Sequence, residues 1–227
     1  MNADWVGRIP EGNVSGDDFV GTIVGFDKKE GFRGFWYWLI LDKLKNYNGD
    51  RRSLSYRMSD DEAILYIAFL SQWNRANHQI TELDYHRFKK YMIDHNKEFN
   101  LWEAERLETL ELEGERMVIL RLFRGLQEIK GIEWVGASKI LHMRLPKLFI
   151  PIDTLIAKEY KIKNNEKNAS KYFEFLRIMK EKFGEEPLDI YESDPEKVKG
   201  GHKNKTFAKA IDEYNYCKVH QGDFEVK

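Results

Sequence analysis

The 227-residue chain has a single cysteine, Cys217. A lone thiol excludes an intramolecular disulfide, a four-cysteine zinc site and a cysteine-ligated iron–sulfur cluster, and it suits a reducing compartment. Proline is scarce, at 5 residues, and the longest apolar run, FWYWLIL at 35–41, is too short to cross a bilayer. The opening MNADWVGRIPEG has no basic–apolar leader pattern, so the expected location is cytoplasmic, nucleoid-associated in a prokaryotic source, with no membrane partner. No internal repeat is evident, and no nicotinamide, ATP or pyridoxal phosphate motif is present. The formal net charge is −1, so the molecule as a whole is not a polycation.

What is present is a core-forming composition: 42% hydrophobic and 14% aromatic, with 6 Trp and 11 Tyr. Large rings dominate buried area, so most of them belong in a core. The length allows one large domain or two small ones. Charge is unevenly spread. Between residues 130 and 180 eleven Lys and Arg face five acids, leaving the rest of the chain acidic. A local basic region is either a nucleic-acid face or a chance cluster on a solvated surface.

The periodicity is helical almost throughout and predicts eight to ten helices with short connections, an all-α class. Residues 1–30 read as a loop and then a short helix or strand. A buried helix over 32–47 is stopped by Asn48-Gly49, and 50–58 reads as a basic linker. Ser59 and Glu62 form a capping box for a buried helix, and Thr81 and Asp84 open another. The glutamate-rich 99–115 reads as a solvated helix broken by Gly114 and lying away from any DNA surface. Helices then follow over 116–129, 168–183 and 206–219. The segment 185–203 reads as a long loop that either meets phosphates or covers the surface, and the tail from His220 reads as frayed.

Ile129 to Tyr160, IKGIEWVGASKILHMRLPKLFIPIDTLIAKEY, organises the rest. An apolar lead-in meets a tight turn at Gly131, a second helix ends near Met143, and a connector bounded by Pro146 and Pro151 delivers Asp153 to the mouth of another helix. Gly131 permits an unusual φ. Backbone N–H groups over 133–136, at the start of the second helix, point outward, where phosphates bind such groups. Asp153 followed by Thr-Leu-Ile is also an ordinary N-cap. His142 reads as a satisfied core histidine. Trp134 either wedges into DNA or packs under the turn, with packing the preferred reading.

These residues resemble the helix-hairpin-helix DNA glycosylase superfamily, the group that includes endonuclease III. The match rests on Gly131 in the hairpin, Ala137-Ser138 and Ile140-Leu141 in the second helix, and Phe149-Ile150-Pro151-Ile152-Asp153 in the connector. Upstream, Leu70-Ser71-Gln72 resembles the helix end that precedes the hairpin in that family. The likeness covers about residues 60–160. It implies two helical layers with a cleft between them: a hairpin domain over 59–160, and a second domain built from 1–58 and 161–227.

The resemblance further implies a monomer that binds double-stranded DNA through Lys130, Gly131, Glu133, Trp134, Val135, Gly136, Lys139 and Gln72. Asp153 would be the catalytic carboxylate, stabilising an oxocarbenium ion or activating water as a flipped, modified base is removed. No cofactor or resident metal is required, although a potassium or sodium ion on the hairpin backbone is a family trait. Two departures shape the expectation. Glu133 stands where the family has its second hairpin glycine. Val135 stands where bifunctional members carry an imine-forming lysine, so the implied reaction is monofunctional; Lys139, one turn on, is expected to face phosphate or solvent. The alternative is a non-catalytic DNA-binding protein that reuses the scaffold.

Overall fold

The computed structural model describes residues 11–27, 31–53, 55–73, 82–163, 168–199 and 205–220. Those residues form thirteen helices and no strand, and none of the helices is long and apolar enough to cross a membrane. The short helix or strand left open within residues 1–30 is helix α1, Gly16–Asp27, and the helix expected over 32–47 is α2, Gly31–Lys45. That helix stops at a turn over 46–47, just ahead of Asn48-Gly49, which itself starts the one-turn α3, Asn48–Arg51.

The expected basic linker over 50–58 is therefore partly core. Arg51 is 3% exposed and Glu62 is 1% exposed, and their side chains pair at 2.7 Å. Tyr56 donates its hydroxyl to the same carboxylate at 2.7 Å. A buried pair survives only with its remaining valences filled, and Asn48 and Tyr66 fill those of Arg51. Ser59 caps α4, Asp60–Trp73, by accepting from the Glu62 N–H at 3.1 Å. The carboxylate of Glu62 is spent on Arg51 and Tyr56, so only this half of the capping box forms.

Asp84 accepts from the Arg87 N–H and opens α5, Tyr85–Asp94; Thr81, the other expected start, lies outside the described residues. The short α6 is Asn96–Leu101. The glutamate-rich stretch is not one helix: 102–104 and 107–110 are turns, and α7, Leu112–Gln127, begins inside it. Gly114 sits in the first turn of α7 rather than ending a helix. Like charges at one-turn spacing disfavour a helix over 103–111, and a glycine costs least where the helix is only beginning.

Next come α8, Trp134–Arg144, and α9, Thr154–Glu159. Asn168 caps α10, Ala169–Phe183. The presumed loop after it is mostly helical. Pro187 lies at the start of α11, Glu186–Ser193, and Pro195 opens α12, Pro195–Lys199. Proline is tolerated there because first-turn N–H groups have no partner within the helix. Residues 200–204 of that stretch lie outside the described residues. Thr206 caps the last helix, α13, Phe207–Val219.

One buried apolar cluster runs from Val14 to Tyr214 through every long helix. Within it α2 packs on α4, α4 and α7 on α8, α7 on α10, and α13 on both α1 and α9. Helix α8 is enclosed: every residue from Gly136 to Arg144 is buried, as is Trp134. That explains why its sequence shows no polar face, and it places two of the eleven basic residues of the 130–180 region, Lys139 and Arg144, inside the protein rather than on a surface.

Candidate functional site

The turn between α7 and α8 is built by two backbone bonds. The Ile129 N–H reaches Leu126 O at 3.1 Å and the Ile132 N–H reaches Ile129 O at 2.9 Å. Gly131 takes φ 86°, the left-handed region that only glycine adopts without strain. The Asp84 N–H donates to Lys130 O at 3.0 Å, tying the loop before α5 to the turn. Among the described residues, the carbonyls of residues 129 and 130 thus each accept one backbone bond.

Glu133 occupies the N-cap of α8, extended at φ −93° and ψ −174°, and its side chain makes no cap bond. It is exposed. The first-turn N–H groups of α8 lack partners within the helix, and this carboxylate does not fill them. Gly136 is buried, and a Cβ there would lie 3.9 Å from Leu70 Cδ2. The Leu-Ser-Gln end of α4 therefore abuts the first turn of α8, and Gln72 at that end is exposed.

Lys130 is exposed and 3.4 Å from Glu82. Val135 is half-buried. Trp134, 3% exposed and edge-on to Phe123, packs under the turn, so its ring is not at the surface. Lys139 also departs from expectation. It is 6% exposed rather than solvated, because one turn on from Val135 the enclosed α8 faces inward. Burial pulls its ammonium down to about 8, against the opposing pull of Asp153 and Asp212.

The connector 145–153 is pinned to α8 and α10 carbonyl by carbonyl. His142 Nδ1 contacts Phe149 O at 2.6 Å, Tyr172 donates to Ile150 O at 2.9 Å, and Ser138 Oγ lies 3.3 Å from Ile152 O. The Ile152 N–H returns a bond to Ser138 Oγ at 3.1 Å. A carbonyl only accepts, so His142 carries its proton on Nδ1. Its Nε2 then accepts from the Tyr37 hydroxyl at 2.8 Å. The histidine is fully buried and satisfied, and burial lowers it to about 4. Ser138 and His142, one turn apart on one face of α8, thus fix the segment that ends at Asp153.

Asp153 caps α9 through Oδ1, which accepts from the Ile156 N–H at 2.8 Å. Its Oδ2 lies 2.7 Å from His220 Nε2, just past the end of α13. Burial opposes ionisation, but the His220 hydrogen bond, the cap bond and the charges of His220 and Lys139 outweigh it and hold the carboxyl below its usual range. An ionised carboxylate only accepts, so Nε2 of His220 carries a proton. Tyr216, one turn earlier, stacks on the ring at 4.1 Å between centroids. His220, read in the sequence as the start of a frayed tail, is the residue missed. A histidine just beyond a helix end beside a stacked tyrosine is a weak signal, and nothing in the chain order links it to Asp153.

Among the described residues no group of three or more His, Cys, Asp and Glu side chains is gathered as for a metal ion. Comparisons with protein-family models, curated proteins and solved structures found no match.

Proposed function

We propose that this chain is a DNA-binding protein of the helix-hairpin-helix glycosylase type. It binds duplex DNA on the hairpin, and it removes a flipped, modified base by monofunctional hydrolysis at Asp153. The reading is supported most by one arrangement: a left-handed Gly131 opens the first-turn N–H groups of α8 to an anion, while the same helix, through Ser138 and His142, holds the connector that presents Asp153. Lys130, exposed at the turn, supplies charge to the phosphate. A potassium or sodium ion, on this reading, would use the carbonyls at 129 and 130 and add further charge there.

At Asp153 the carboxylate would stabilise positive charge developing on the sugar as the C1′–N bond breaks and its electron pair leaves with the base; water then adds to C1′ and its proton is released to the departing base or to solvent. Val135 offers no amine for an imine, which is why hydrolysis rather than lyase chemistry is proposed. A second reading, DNA binding without catalysis, is favoured by the occupancy of Asp153: one oxygen is taken by the α9 cap and the other by His220.

The DNA half of the proposal is tested by fluorescence anisotropy with a labelled duplex over a salt series. Affinity should fall with salt by a logarithmic slope of about −0.9 per phosphate contact, and Lys130→Glu should weaken binding and flatten that slope by about 1. No binding at low salt, or binding indifferent to Lys130→Glu, would overturn it.

A further inference from the structure

The far end of α8 carries a second candidate site, unrelated to the hairpin and about 15 Å from it along the helix. A groove of about 490 Å³ opens there between the ends of α2 and α8, the start of α3 and the turn after α6. Its walls include Leu41, Leu44, Trp102 and Pro146, and its basic residues are Lys45, Arg51, Arg52, Arg144 and Lys147.

Arg144 is its distinctive feature. The side chain is 4% exposed and lies over the Phe99 ring, yet among the described residues its hydrogen bonds go to amides, Asn100 Oδ1 at 2.6 Å and Asn96 Oδ1 at 3.4 Å, both through Nη2. Among the described residues it has no carboxylate partner. Arg51, close enough to repel it, has taken Glu62. Of the acids on the groove, Glu103 is held by Arg52 at 3.1 Å, and Glu105 stands on the same wall. Arg144 is thus attracted by Glu103, which Arg52 holds, but among the described residues no carboxylate lies within ion-pair distance of it. An uncompensated buried charge is costly unless a counter-ion reaches it.

We propose that this groove binds a small phosphomonoester. Arg144 receives the phosphate at the floor with its remaining N–H donors, Lys147 and Lys45 flank it at the rim, and Trp102, Leu41 and Pro146 accept the organic part. The volume falls within the range of small-molecule sites, and a guanidinium recessed this far is reached by a monoester rather than by a duplex backbone. A guanidinium fork also matches phosphate geometry better than an ammonium does.

The test is isothermal titration calorimetry with inorganic phosphate, adenosine 5′-monophosphate and adenosine at constant ionic strength. Both phosphate-bearing probes should bind saturably and adenosine should not. At least tenfold tighter binding of the monophosphate marks an organic phosphate as the occupant, and equal affinities mark free phosphate and overturn the organic assignment. Arg144→Gln should abolish binding. The exposed Lys147→Glu, which leaves the core untouched, should weaken it at least tenfold, whereas Lys130→Glu at the hairpin should leave it unchanged. Absence of saturable phosphate binding, or affinity unaltered in Lys147→Glu, would overturn the proposal.

Discussion

His220 Nε2 and Asp153 Oδ2 lie 2.7 Å apart, joining the end of the last helix to the start of α9. The contact makes the C-terminal helix part of the candidate site, and it separates two roles of the same carboxylate. Asparagine caps a helix as well as aspartate does, so Asp153→Asn should keep the α9 cap while losing the charge opposite His220; Asp153→Ala should lose both and cost about 1–2 kcal/mol more. A double-mutant cycle of Asp153→Asn with His220→Gln, read by urea unfolding at pH 7, should give a coupling of about 1–2 kcal/mol. Because the carboxyl is held below its usual range, this contribution is full above the ordinary carboxylate value and fades as pH falls through the folded one. A coupling near zero would show the contact to be without energetic weight.

Ser138 Oγ accepts from the N–H of Ile152, the residue before Asp153, at 3.1 Å, while its own proton goes to Val135 O at 2.8 Å. Ser138→Ala leaves the buried Ile152 N–H without an acceptor and should destabilise the protein by about 1–3 kcal/mol. Ser138→Thr keeps the hydroxyl but adds a methyl to a fully buried position, so it should restore the hydrogen bond only at a packing cost. Equal stability of Ser138→Ala and wild type in urea would contradict the pinning of the connector.

His142 is neutral inside the fold and titrates near 4, against an ordinary value of 6.5. The unfolded chain takes up this proton first, so stability should be full above pH 6.5 and fall as pH drops from there towards 4, by roughly 3 kcal/mol in all. His142→Gln should be less stable than wild type at pH 7.5, with a shallower decline over the same acid range. Parallel declines in the two proteins would place the titrating group elsewhere.

Much of the helix pattern was legible because it rests on local rules. Ser59, Asp84, Asn168 and Thr206 each accept the N–H three residues on, as their side chains dictate at a helix start. The turn at Gly131 was legible from the need for a positive φ. What the sequence hid was long-range. Arg51 reads as one of several charges in a linker until Glu62 and Tyr56 are brought to it, and Lys139 reads as a surface lysine until α8 is enclosed by α4 and α7. Pro187 and Pro195 suggest a loop to periodicity, although each stands where a helix begins. His220 gains its meaning only through Asp153, 67 positions earlier.

The proposed base removal by Asp153 on a hairpin-bound duplex would show itself in single-turnover release of modified bases. A panel of duplexes, each carrying one damaged base, is incubated with excess wild-type protein and with Asp153→Asn, whose α9 cap is retained. At least one lesion should be released by the wild type with an intact abasic strand left behind, and the substitution should slow that release by at least a hundredfold, about 2.7 kcal/mol of barrier. Release unaffected by Asp153→Asn, or DNA binding with no release across the panel, would contradict the catalytic assignment.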